Sequence, residues 1–107
     1  MWFGVSLVSR SSEPLDEQGT RLFEERIIVR DAADEAEAWK KANGWGSSLE
    51  EQYVNAEGQE VAWTFERAVE VKAILEDQLG DGVEVFNRFL REDEVKSLTS
   101  PITERQK

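Results

Sequence analysis

Between Val61 and Leu75 the chain reads VAWTFERAVEVKAIL, an alternation of apolar and polar residues that suits extended backbone and little else. Val61, Trp63, Phe65, Val69, Val71, Ala73 and Leu75 share one parity, and successive side chains of a strand point to opposite faces, so these seven lie in one row. Arg67 interrupts that row. A straight strand from 61 to 75 would run roughly 50 Å at about 3.3 Å per residue, whereas a domain of about a hundred residues has a radius of gyration of about 13 Å. The strand must therefore coil, bend or reach a second subunit, and Arg67, between Glu66 and Ala68, is where its apolar row is weakest. Either Arg67 marks a bend and reaches solvent along its aliphatic stem, or it is aimed from the sheet face at a carboxylate, because an unpaired buried charge is strongly destabilising.

The rest of the chain supplies elements for that strand to pack against. Residues 1–9 alternate Phe3, Val5 and Leu7 with Trp2, Gly4 and Ser6 and read as a strand. Residues 10–20, RSSEPLDEQGT, have no period and read as an exposed hairpin loop. Arg21 to Arg30 returns with Phe23, Ile27 and Val29 on one side and Leu22 and Ile28 on the other, which predicts a central strand covered at its C-terminal end. Asp31 is the expected N-cap of a helix from Ala32 to Asn43, with acids in its first turn and Ala32, Ala36, Trp39 and Ala42 on its packed face, Trp39 serving as the anchor. Asn43-Gly44 is the expected stop, followed by a second helical piece over Ser48–Gln52. Gln52 to Asn55 reads as a short strand turning through Asn55-Ala56-Glu57-Gly58 into the long one. Leu79-Gly80-Asp81-Gly82 is a further turn, and Val83 to Leu90, VEVFNRFL, is predicted to be a final strand antiparallel to the long one. The expectation is a single α+β domain over residues 1–90: one curved, mostly antiparallel sheet of four to five strands with one main helix packed on one face. Residues 91–107 form a polar tail, loosely held, with only Val95, Leu98 and Ile102 to bury and one helical turn near Glu92–Leu98.

Composition bounds the chemistry. The 107 residues fit one domain and contain no cysteine, which excludes disulfides, thiolate nucleophiles and Cys-type zinc sites. There is no histidine either, so the usual general base near neutral pH, the commonest metal ligand and every Ser-His or Cys-His arrangement are absent. A net charge of −10 disfavours nucleic acid and anionic membrane as partners and favours basic or neutral ones. Residues 31–60 hold eight acids and two lysines, which reads as a solvated helix face or an acidic docking surface. Residues 1–9 have no basic region before their short apolar run, and no stretch approaches the ~20 apolar residues of a spanning helix, so a cytoplasmic location is expected.

The ordered set Trp2-Phe3, Glu24-Glu25-Arg26-Ile27-Ile28-Val29, the acidic alanine-rich helix, Tyr53-x-Asn55-Ala56-x-Gly58, Val61-x-Trp63-x-Phe65, Asp81-Gly82-x-Glu84-Val85 and Arg88-Phe89 resembles a family of small bacterial proteins catalogued only as a domain of unknown function. The likeness spans residues 2–90 and implies strands flanking a single helix; it attaches no activity or catalytic residue.

Candidate sites follow from the residues themselves. Glu24 and Glu25 point to opposite faces of a strand and make no dyad. Glu76, Asp77 and Asp81 lack the spacing of a calcium loop, and Gly80-Asp81-Gly82 is too short for a phosphate loop, so no metal or cofactor is expected. The binding candidates are Glu25, Arg67 and Arg88 as a charged pocket on the sheet, with Trp45 and Trp63 as aromatic platforms. The preferred function is a non-catalytic acidic protein-binding module of regulatory or toxin-neutralising type, with a basic protein as partner. The alternatives are a small-ligand-binding or enzymatic domain built on the charged pocket, and a structural homodimer joined at the long strand's far end or along a free edge.

Overall fold

The structure, a computed structural model, describes residues 1–99. Four strands, β1 (Trp2–Pro14), β2 (Arg21–Asp31), β3 (Glu51–Val54) and β4 (Glu60–Ala73), form one antiparallel sheet in the order β2-β1-β4-β3, with helix α1 (Glu35–Ser47) between β2 and β3 and helix α2 (Glu92–Leu98) after the sheet. This is the expected α+β architecture: a curled four-stranded sheet with one main helix lying on one face. The long axis of the molecule is 45 Å, close to the roughly 45 Å that a strand of this length spans.

Arg67 owes its place to the way β4 pairs with β1. Val71 lies opposite Val5 and Glu70 opposite Ser6, but Ala68 lies opposite Leu7, so Val69 is an extra residue. Arg67 then lies opposite Val8 and Phe65 opposite Ser9, which makes Glu66 extra as well. Each such β-bulge inverts the in-out alternation, and two in succession restore it. Between them Ala68 takes the core position and packs beside Leu7, while Arg67 and Val69 are turned out and exposed. The strand does change course at the arginine, as the first of the two readings requires.

The core lies between the sheet and α1: Phe3, Val5 and Leu7 from β1, Val71 from β4, and Ala32, Ala38 and Ala42, with Ile28, Trp45, Leu49, Phe65 and Ala68 packed against them. Small residues at positions 38, 42 and 46 form the buried helix stripe and let α1 lie close to the strands. Gly46 has no room for a side chain, because a methyl group there would overlap the ring of Phe65.

Several expectations are corrected. The N-cap is Asp34, whose carboxylate accepts from the Glu37 amide at 2.8 Å. Asp31 instead accepts from the N-terminal ammonium at 2.8 Å. The helix runs through Asn43-Gly44 to Ser47, since the buried stripe continues to Gly46. Trp45 is therefore the aromatic anchor, and Trp39 is 39% exposed with its indole N–H directed to Glu35. Residues from Glu51 onward are strand instead of helix, and β1 continues to Pro14, leaving a short turn in which the Asp16 carboxylate accepts from the amides of Gln18 and Thr20. The central strands are β1 and β4, while β2 is an edge strand.

Val83 to Leu90 is not a strand. Among the described residues, positions 84–90 make no backbone–backbone hydrogen bond. The segment crosses the sheet on the face opposite α1, where Gly4 leaves a notch for the Val85 carbonyl that any side chain at position 4 would fill. Gly4 and Ser6 are buried beneath it. The helical turn expected near Glu92–Leu98 is α2, and Ile102 lies outside the described residues.

Candidate functional site

The five candidate residues divide between the two faces. Glu25, Arg67 and Arg88 are on the face crossed by residues 83–90; Trp45 and Trp63 are on the α1 side. Glu25 and Arg67 both lie opposite Val8, on β2 and β4 respectively, so two strand spacings, about 10 Å, separate their backbones. Glu25 is engaged from elsewhere: its Oε2 accepts from the Ser6 hydroxyl at 2.5 Å and from the Arg88 guanidinium at 3.2 Å. This ties residue 88 to β2 and gives the buried Ser6 a partner. Arg67 joins no ion pair among the described residues. The expected three-membered pocket is thus a two-membered clamp with a separate, solvated arginine. Ser6 was legible only as a member of a small polar row, and nothing in the sequence paired it with Glu25.

Trp45 rests on the core and holds the Arg30 guanidinium over its ring at 5.0 Å, a cation–π contact that occupies its outer side. Trp63 donates its indole N–H to the Tyr53 hydroxyl at 3.2 Å, linking β4 to β3. Neither tryptophan is a bare platform.

A second region lies at the far edge of the sheet. All four residues of β3 are exposed, Tyr53 at 45% and Val54 at 63%. Among the described residues only β4 pairs with β3, and its other side there presents free backbone donors and acceptors. Where regular pairing runs out, side chains complete it: the Glu50 carboxylate accepts from the Phe65 amide at 2.7 Å, and the Ser12 hydroxyl accepts from the Ala62 amide at 2.9 Å. An open depression of about 440 Å³ lies along this end, lined by Ser12, Tyr53, Val54, Glu60 and Val61 among others. From residue 42 to residue 66 there are five acids (Glu50, Glu51, Glu57, Glu60 and Glu66) and no Lys or Arg. Tyr53 and Val54 were not singled out from the sequence, because a four-residue strand carries too little periodicity to show which side it leaves open.

The carboxyls with displaced titration lie away from both regions. Asp16 is lowered by the Thr20 side chain and amide, Asp31 by the N-terminal ammonium, and Glu37 by the Lys41 ammonium. Each stabilises a turn or chain end. Among the described residues no three His, Cys, Asp or Glu side chains converge as a metal site, and no helix is long and apolar enough to cross a membrane.

A family model described as Domain of unknown function (DUF4288) matches residues 2–87. No curated protein and no solved structure matches the chain.

Proposed function

The chain belongs to the DUF4288 family, whose description carries no activity, and we propose from its own geometry that it is a non-catalytic acidic protein-binding module that docks a basic, extended segment on the free edge of β3. The observation that carries this reading is the coincidence of an open strand edge, two exposed apolar side chains and four acids, Glu50, Glu51, Glu57 and Glu60, that join no ion pair among the described residues. Strand addition supplies affinity through backbone hydrogen bonds, and alternate side chains of the incoming strand supply specificity. Here Tyr53 and Val54 would meet apolar side chains, one on each face of the added strand, while Glu50, Glu51, Glu57 and Glu60 attract lysines and arginines along the approach. The same acids repel a second copy of this chain, so the edge is kept for a partner of opposite charge. Catalysis finds no support in a chain without histidine or cysteine whose best-placed carboxylate, Glu25, is already held by Ser6 and Arg88. A regulatory or toxin-neutralising role in a bacterial cytoplasm is the setting this reading implies.

The test is an NMR titration of the isotope-labelled chain with a synthetic peptide alternating lysine and valine. Amides of residues 51–54 should shift saturably, the affinity should fall with added salt, and the Glu51→Lys, Glu57→Lys double variant should lose the response. Shifts confined to the acidic face of α1, with β3 unmoved, would contradict the reading.

A further inference from the structure

We infer that two copies of the chain join along β2, edge to edge and antiparallel, with the twofold axis at Glu25, giving one continuous sheet in the order β3-β4-β1-β2-β2-β1-β4-β3. An exposed strand edge is a template for association unless it is short, charged, bulged or interrupted by proline. β3 has four residues and an acidic setting, and β4 carries two bulges in its ladder with β1. β2 is neither short, bulged nor interrupted by proline: it has eleven residues, no proline or lysine, and an unbroken ladder with β1 from Phe23 to Asp31, and its six charges are three of each sign. Phe23 and Ile27 are each 45% exposed on one face of it.

Charge selects the occupant. The chain carries −10, yet β2 balances Arg21, Arg26 and Arg30 against Glu24, Glu25 and Asp31. It is a neutral edge on an acidic molecule, and so a place where two copies can approach without mutual repulsion. It offers a basic peptide no such attraction as β3 does.

The register then follows from the sequence. Because side chains alternate, antiparallel copies keep each face continuous only if residues of equal parity lie opposite one another. With Glu25 on the axis, Phe23 meets Ile27 of the second copy, Leu22 meets Ile28, and Glu24 meets Arg26, each pair occurring twice. One step away, Glu24 faces Glu24 and Phe23 faces Glu25; one step the other way, Arg26 faces Arg26 and Glu25 faces Ile27. Only the first register places apolar against apolar and acid against base, the pairings that favour neighbouring strands. Its one like-charged pair is Glu25 with Glu25, and each of these carboxylates carries its own Arg88 guanidinium and Ser6 hydroxyl. Phe89, next to Arg88 and fully exposed, is then placed beside the axis with an apolar surface to cover. The clamp that holds residues 83–90 to the sheet thereby also prepares the interface.

Sedimentation of the full chain at concentrations reaching hundreds of micromolar tests the association. A dimer is expected for the natural sequence, with loss of the dimer in Phe23→Lys and in Ile27→Lys, two substitutions at half-exposed positions that leave the core intact. The register is tested independently, since the chain has no cysteine. On mild oxidation an equimolar mixture of Phe23→Cys and Ile27→Cys chains should give a disulfide-linked dimer of one of each, whereas Glu24→Cys and Arg26→Cys should each remain uncrosslinked alone. A monomer throughout, a dimer indifferent to both lysines, or crosslinking of Glu24→Cys or Arg26→Cys alone in preference to the mixture would overturn the inference. The peptide titration of β3 at the opposite end of the sheet is unaffected by any of these results.

Discussion

Two glycines of α1 should answer the same substitution with opposite signs. Gly44 is exposed and has open space around it, whereas Gly46 is buried with the Phe65 ring where a side chain would go. Replacing a helical glycine by alanine removes backbone freedom from the unfolded chain and stabilises by about 0.8–1.0 kcal/mol. Gly44→Ala should show this gain. Gly46→Ala collects the same term but forces its methyl group into an aromatic ring in a packed core, where overpacking costs about 1–3 kcal/mol. The propensity term cancels between the two variants, so their difference isolates the clash at about 1–3 kcal/mol, or on the order of 10 °C in melting temperature for a domain of this size. Urea and thermal unfolding followed by far-ultraviolet circular dichroism would measure it. If Gly46→Ala is as stable as Gly44→Ala, then Phe65 does not lie against α1 and the packing described for the helix is wrong.

Gly4→Ala should destabilise by about 1–3 kcal/mol, because the new methyl group displaces the Val85 carbonyl; faster amide exchange in residues 83–90 would report the loss, and unchanged exchange would count against the crossing. The pH dependence has a definite sign. Asp16, Asp31 and Glu37 are held below their ordinary values of 3.8, 3.8 and 4.5, so their contribution is complete above those values and is lost as pH falls through the lower folded ones. Urea midpoints should therefore decline on acidification below about pH 5, and less steeply in Asp31→Asn, which removes the pairing with the N-terminal ammonium. Identical profiles for the two proteins would refute that assignment.

The parts of the fold that were legible in the sequence are those written in long periods. β1, β2 and β4 announce themselves through alternation, and the helix through its acidic first turn. Misjudged were features that depend on tertiary neighbours. Asn43-Gly44 carries a stop signal, but the stripe of Ala38, Ala42 and Gly46 has a sheet to pack against and the helix continues. Asp31 and Asp34 are equally good caps in isolation, and the position of the N-terminal ammonium decides between them. VEVFNRFL has a strand's composition, yet the notch at Gly4 and the clamp at Glu25 draw it across a face instead of onto an edge. Of the candidate site residues, Glu25, Arg67 and Arg88 were grouped by chemistry as one charged pocket, and the structure brings Glu25 and Arg88 together. The separation of Arg67 agrees with the reading in which it marks a bend and reaches solvent, although the two bulges that produce it leave no mark in composition.

The division of β4 between the two faces of the sheet rests on its two register shifts, and thiol labelling tests it most directly because any introduced cysteine is the chain's only one. In the folded protein, Arg67→Cys and Val69→Cys should react quickly with a polar maleimide and Ala68→Cys slowly, because Ala68 packs beside Leu7 while its neighbours face solvent. Fast labelling at 68 with protection at 67 and 69 would mean an unbroken alternation from Phe65 to Val71, with no bulges and the arginine in the core row.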